Sequence, residues 1–224
     1  MAFEGFSEET VAWFDGLRMD NSRAYFTAQR EVYERAVRQP LLDLLTELSD
    51  EFGGEVKLFR QNRDVRFSAD KSPYKTNAYG LLLGRPDSAA ALYLAVSADG
   101  LQTATGYYEM AKDQLARFRS ILTTGENPLA VGAVLQAIMD DLQGAGYTID
   151  SAATKGMPRG IPKDAPNADL ARFRSLTVQG ELEPERMTDR AALEWVAALW
   201  RSAAPLNAWL DRHVGPSTLT VEEH

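Results

Sequence analysis

Apolar residues near the start of the chain recur at helical spacing. Val11, Phe14 and Leu17 follow Ser7-Glu8-Glu9, a capping hydroxyl and two acids that suit the positive end of a helix dipole. Asp20-Asn21-Ser22 offers a second cap. From it Tyr25, Phe26, Tyr33, Val37, Leu41, Leu44, Leu45 and Leu48 run at three-to-four spacing until Gly53-Gly54 stops them. Pro40 sits inside this pattern. It lacks an amide donor and its ring meets the preceding turn, so the pattern predicts a kink or two successive helices.

After the glycines the period falls to two. Residues 57–67 are expected to be extended, with Phe59, Val65 and Phe67 on one face and Arg60, Asn62, Asp64 and Arg66 on the other. Gln61 and Arg63 interrupt that alternation and predict a bulge or short loop. Residues 68–73 are turn formers. Strands are predicted over 79–83, 92–97 and 101–107, joined by Gly84-Arg85-Pro86-Asp87 and Ala98-Asp99-Gly100, which makes an antiparallel meander.

Helical spacing returns with Met110, Leu115, Phe118, Ile121 and Leu122. It resumes after the cap Asn127-Pro128 with Leu135, Ile138, Met139 and Leu142. Residues 155–166, rich in Gly and Pro, predict a loop, and 176–182 a short strand. Leu193, Val196, Trp200, Leu206, Trp209 and Leu210 mark a last helical region, broken at Pro205. No repeat or long linker divides the chain. The pattern predicts one α+β domain over 1–224, a mainly antiparallel sheet with helices packed on one face.

Composition sharpens this picture in two places. There is no cysteine, which excludes disulfides, thiolate catalysis and cysteine-ligated metal sites. No leader and no long apolar run is visible, so a soluble cytoplasmic protein without a membrane partner is the expectation. The formal charge of −8 disfavours non-specific nucleic-acid binding by the surface at large. Against it, residues 57–75 (KLFRQNRDVRFSADKSPYK) hold six basic residues and two acidic ones, a local charge of +4.

Within that stretch, Arg63-Asp64-Val65-Arg66-Phe67-Ser68-Ala69-Asp70-Lys71-Ser72-Pro73-Tyr74-Lys75 resembles the signature of a widespread, mostly bacterial family, domain of unknown function 2461. The resemblance extends through Asn21-Ser22-Arg23-Ala24-Tyr25-Phe26, Tyr33-Glu34, Gly106-Tyr107-Tyr108 and Pro158-Arg159-Gly160, covering about residues 4–212. It departs where the family commonly has N-R-E-W-F at positions 22–26 and often His at Asn167. The resemblance implies a single α+β domain and leaves the activity and any cofactor open.

The residues themselves permit an anion site. Arg60, Arg63, Arg66, Lys71 and Lys75 are candidate ligand-binding residues, because the guanidinium fork suits phosphate or carboxylate and lysine adds a point charge. Arg23 and Arg159 are candidate additions. Asp64, Asp70 and Tyr74 are the candidate proton-handling groups. The ligand expected is a phosphate- or carboxylate-bearing small molecule or polymer end, bound in a hollow that these side chains line, with or without catalysis. Two alternatives stand beside it: a nucleic-acid-associated module, and a non-catalytic interaction protein. In the second, the charges form an internal salt-bridge network that Arg66→Ala would break at the expense of the fold. Tyr107 and Tyr108 are adjacent strand residues, so one is expected in the core.

Sharper motifs fail on context. Ser72-Pro73-Tyr74-Lys75 has the serine–lysine spacing of penicillin-recognising enzymes but lacks their K-T-G and S-D-N partners. Asp50 with Glu55-Val56-Lys57 is too short a pattern to mark a metal-dependent nuclease. With His213 and His224 the only histidines, no His-rich metal site is available, and His213 is expected to complement a helix end. Phosphate-binding and dinucleotide-binding glycine motifs are absent.

Overall fold

The protein is described by a computed structural model covering residues 2–66 and 68–219. Its strands form one six-stranded antiparallel sheet in the order β1-β2-β3-β4-β6-β5, from β1 (Glu55–Leu58), β2 (Asn77–Leu83), β3 (Ala91–Ser97), β4 (Gly100–Tyr107), β5 (Thr148–Asp150) and β6 (Leu176–Leu182). With its helices this makes the α+β class that the changing hydrophobic period predicts. The chain resolves into two compact units. One runs from the N terminus to Arg85 and takes in Leu92–Thr103 and Glu181–Ala198; the other holds Pro86–Ala91, Ala104–Gly180 and the chain from Leu199 onward.

In the first unit, α1 (Glu8–Met19) starts after Ser7, whose amide donates to the Thr10 hydroxyl at 3.2 Å. Helix α2 (Arg23–Ala28) is capped by Ser22, whose Oγ accepts from the Tyr25 amide at 3.1 Å. The long helical pattern then becomes α3 (Arg30–Val32), a π-helical turn at Tyr33–Arg38, and α4 (Gln39–Phe52). Pro40 is the physical reason for the widened turn. Its ring would collide with the carbonyl one turn back, and it has no N–H for the Ala36 oxygen. That oxygen accepts instead from the buried hydroxyl of Thr10 at 2.7 Å. The expected break is thus resolved without a sharp end to the helix. Gly53, at φ 71, stops α4 as the paired glycines predict.

Helix α4 packs on β1 and β2. The space above Gly80 is filled by Leu45 and Leu58, so that any Cβ at this position would meet their methyls. Strand β2 alternates cleanly: Ala78, Gly80 and Leu82 are buried toward α4, whereas Asn77, Tyr79, Leu81 and Leu83 are half-exposed on the other face. Its register with β3 sets Leu81 opposite Tyr93 and Tyr79 opposite Ala95.

In the second unit, α5 (Lys112–Thr123) and α6 (Pro128–Gly144) follow, with Asn127 capping α6 through the Ala130 amide at 3.4 Å. Asn167 holds φ 50 and donates to the carbonyls of Leu122 at 2.9 Å and Pro128 at 2.6 Å, so this position is a loop anchor between the two helices. Strand β5, only three residues long, carried no alternation to betray it. Helix α7 (Ala191–Ser202) runs from the first unit into the second, and α8 (Ala204–His213) starts with Pro205 in its first turn, as the break predicts. The segment after α8 is strapped to α5: Gln114 donates to the Gly215 carbonyl at 2.8 Å, and Arg117 to those of Val214 and Pro216. Asp113 accepts from the Ser217 hydroxyl and the Thr218 amide, both at 2.8 Å. Tyr107 is buried and Tyr108 is 73% exposed, as alternation requires.

Candidate functional site

Beyond β1 the chain departs from the predicted strand. Pairing ends at Leu58 except for the Phe59 amide, which reaches the Tyr79 carbonyl at 3.1 Å. The chain then swings out and returns. The loop is closed by Arg63 N to Pro73 O and Lys75 N to Gln61 O, each 2.9 Å, around an antiparallel bridge between Asn62 and Tyr74. Val65 therefore lies in a loop and not on a strand face with Phe59; Phe67 lies outside the described residues. The interruption at Gln61 has a clear cause. Gln61 is buried, and its side-chain amide donates to the carbonyls of Lys75 and Asn77, locking the neck of the loop.

A second lock comes from the link between α1 and α2. Asn21 donates to the Tyr74 carbonyl at 3.1 Å and accepts from the Tyr74 amide at 3.0 Å. The Tyr74 ring stacks on Phe26 with centroids 4.3 Å apart and is buried. Tyr74 is thus placed as a foundation of the loop, with its ring turned into the aromatic packing that also holds Trp13 and Tyr33.

The charged side chains divide into two groups. Two arginines pair with the two acids. Arg63 binds Asp70, and Arg66 binds Asp64 through Nε at 3.0 Å and Nη2 at 2.6 Å. Asp70 also accepts from the Ser72 hydroxyl at 2.6 Å and the Ser72 amide at 2.9 Å, an Asx turn at the base of the loop. The Ser72 hydroxyl and then the Arg63 guanidinium hold the Asp70 carboxyl well below the usual carboxylate range. The Arg66 guanidinium and then its amide depress Asp64 in the same direction. Both acids are anions at neutral pH.

The other cations, Lys57, Arg60, Lys71 and Lys75, form no salt bridge with a carboxylate among the described residues, although Arg60 lies near enough to Asp64 to help lower its pKa. Lys71 donates to the Val65 carbonyl at 3.0 Å, and Lys75 to the Arg60 carbonyl at 2.8 Å. Lys75 also stands 4.6 Å above the Tyr79 ring, and Lys57 stands 5.2 Å from the Phe59 ring centre. Carbonyls and ring faces hold these ammonium groups in place without neutralising them.

The cleft found here is not the hollow expected among the basic side chains. The cleft beside this region is lined by Tyr33, Arg38 and Leu41 from the helical side and by Leu58, Phe59, Ala78 and Tyr79 from the sheet, with room for about one water molecule. None of the six basic residues of 57–75 lines it. The structural alternative is also corrected in one respect. The Arg66 and Asp64 side chains are 76% and 50% exposed, so their pair is a surface one and leaves no buried charge when broken.

Arg23 is exposed at the first position of α2. Arg159 is exposed in the 155–166 loop of the other unit, whereas the loop residues all belong to the first. Sequence reasoning missed Asn21 and Gln61 as loop anchors, and Phe59, Tyr79 and Tyr93 as a connected row. The small residues Ala78 and Gly80, alternating with Tyr79, were the available sign that Tyr79 leaves the helix-covered face. His213 closes α8 against Trp209 with ring centres 4.8 Å apart; burial lowers its pKa, so it is mostly neutral at pH 7 and adds little charge at that helix end. Among the described residues no group of three or more His, Asp or Glu is arranged to hold a metal ion.

These features define an α+β protein that carries a locked cationic loop at one end of a strand pair. The chain belongs to the conserved hypothetical protein family DUF2461, whose sequence profile matches residues 9–209. No curated protein matches it. Among the described residues no helix is long and apolar enough to cross a membrane.

Proposed function

We propose that the 57–75 segment is an anion-binding element, taking a phosphate- or carboxylate-bearing ligand through Lys57, Arg60, Lys71 and Lys75. The observation that carries this is the division of charge. Two carboxylates pair with Arg63 and Arg66, and the other four cations form no salt bridge among the described residues, Arg60 being within electrostatic reach of Asp64. A preorganised cation loses less rotamer freedom on binding than a free one, which favours affinity. Asp64 and Asp70, held as anions by their arginines, are weak proton carriers near neutral pH, and Tyr74 is buried in ring packing. These facts support binding over acid–base catalysis. Arg23 and Arg159 are left outside the proposed element. We take the chain to be one domain, since β4 and β6 each contribute residues to both compact units, and we place it in the cytoplasm because a chain without cysteine suits a reducing compartment.

The test is a thermal-shift titration with inorganic pyrophosphate at low ionic strength. Wild type is expected to melt several degrees higher at millimolar ligand, because a ligand bound only by the native form raises the transition. The Lys71→Gln/Lys75→Gln double variant is expected to lose most of that rise. A wild-type curve that ignores pyrophosphate, or a double variant that responds fully, would refute the proposal.

A further inference from the structure

Three aromatic side chains form a row across neighbouring strands of the first unit. On the face of β2 turned away from α4, Phe59 stacks on Tyr79 with centroids 4.7 Å apart and planes 17° apart. Tyr79 in turn lies 5.7 Å from Tyr93 of β3. All three rings are half-exposed. Their neighbours on the same face are Leu81, which pairs with both Lys57 and Tyr93, and the two lysines already described. One edge of the row thus carries cations and its body carries π surfaces.

We infer that this face binds single-stranded nucleic acid, with bases against the Phe59–Tyr79–Tyr93 row and phosphates along Lys57, Arg60, Lys71 and Lys75. The inference rests on the anion-binding reading and specifies its ligand. Charge complementarity selects the occupant, since a cluster of cations without salt-bridge partners on a protein of charge −8 favours a polyanion locally. Spacing argues against a single phosphate. Lys57 stands on β1 opposite Leu81, and Lys71 lies in the loop beyond the strand and donates to the Val65 carbonyl. One phosphate therefore meets only part of the set, whereas a phosphodiester strand meets several members together. The aromatic row argues for unpaired bases. A base pair inside a duplex hides its faces in the stack, while every single-stranded base has a π face to offer an aromatic side chain.

The experiment measures fluorescence anisotropy of labelled dT12 and U12, and of a duplex of equal length, in parallel with the pyrophosphate titration. The variants are Tyr79→Leu and Tyr93→Leu, which keep apolar bulk but remove the π face, and Lys71→Gln/Lys75→Gln. Wild type is expected to prefer the single strands to the duplex, with affinity falling steeply as salt rises. The Tyr93 variant is expected to weaken binding roughly tenfold while keeping the pyrophosphate response, whereas the Tyr79 variant, whose ring also holds Lys75, is expected to weaken both. The lysine variant is expected to lose both responses and to flatten the salt slope by about 0.7 per lysine removed. Tyrosine variants that bind the oligonucleotides like wild type, or a wild type that responds to pyrophosphate alone, would overturn this inference and leave the anion site standing. Oligonucleotide binding unaffected by the lysine variant would overturn this inference as well, and a lysine variant that keeps both responses, or no response to any probe, would overturn both.

Discussion

At the level of single residues, the basic stretch separates charges that look equivalent in the sequence. Arg66 and Lys75 are both exposed-type cations in one motif, yet Arg66 answers Asp64 on the surface while Lys75 is held by a carbonyl and a ring. Exposed ion pairs gain little, because water and salt screen them and two long side chains must be ordered. Arg66→Ala is therefore expected to melt together with wild type in a thermal scan. A clearly lower melting temperature would return the pair to a structural role. Asn167 illustrates the same point from the other side. A left-handed φ and two carbonyls at the α5–α6 link suit the short amide of asparagine at this position.

At the level of elements, the π-helical turn shows how one proline is absorbed. Pro40 removes the donor to Ala36, and Thr10 from α1 supplies a hydroxyl in its place. Removing that hydroxyl in Thr10→Val keeps the volume but takes a donor from the buried Ala36 carbonyl and an acceptor from the Ser7 amide. A loss of about 1–3 kcal/mol in chemical denaturation is expected. Adding Pro40→Ala restores an amide near the orphaned oxygen, so the double variant is expected to recover part of the loss; strict additivity of the two changes would contradict this account. Most element types were legible beforehand, since period, caps and the Gly-Pro clusters are local signals. The strand over 57–67 was not. Its alternation was fitted through Gln61 and Arg63, but the side chain of Gln61 is turned inward by the carbonyls of Lys75 and Asn77, partners 14 and 16 residues away.

At the level of the molecule, charge is concentrated in a loop of the first unit and closure is made by the C-terminal segment of the second. The cationic loop belongs to the first unit, and in the second the C-terminal segment is strapped to α5 through Asp113, Gln114 and Arg117. The Thr218 amide is the largest of the influences that hold the Asp113 carboxyl well below its usual range, joined by the Ser217 hydroxyl and Arg117. A carboxyl depressed in the folded state stabilises it fully above the unfolded pKa, about 3.9, and loses that contribution as pH falls toward the folded value. Asp113→Asn is therefore expected to melt lower than wild type at pH 7, with the gap closing on acidification below about pH 4. Melting curves across that range check the sign, and a gap that is constant with pH would show that the carboxylate charge is not what the strap uses.

The sequence by itself determined the class of the fold, the meander from β2 to β4, most helix limits and the place where cationic charge concentrates. These follow from periodicity, backbone chemistry and composition, which act over a few residues. Tertiary structure alone decided which cations have carboxylate partners, that Tyr74 is a buried support, and that Phe59, Tyr79 and Tyr93 form one row. Those outcomes depend on strand register and on a loop locked by Asn21 and Gln61, contacts between residues far apart in the chain that local spacing does not encode.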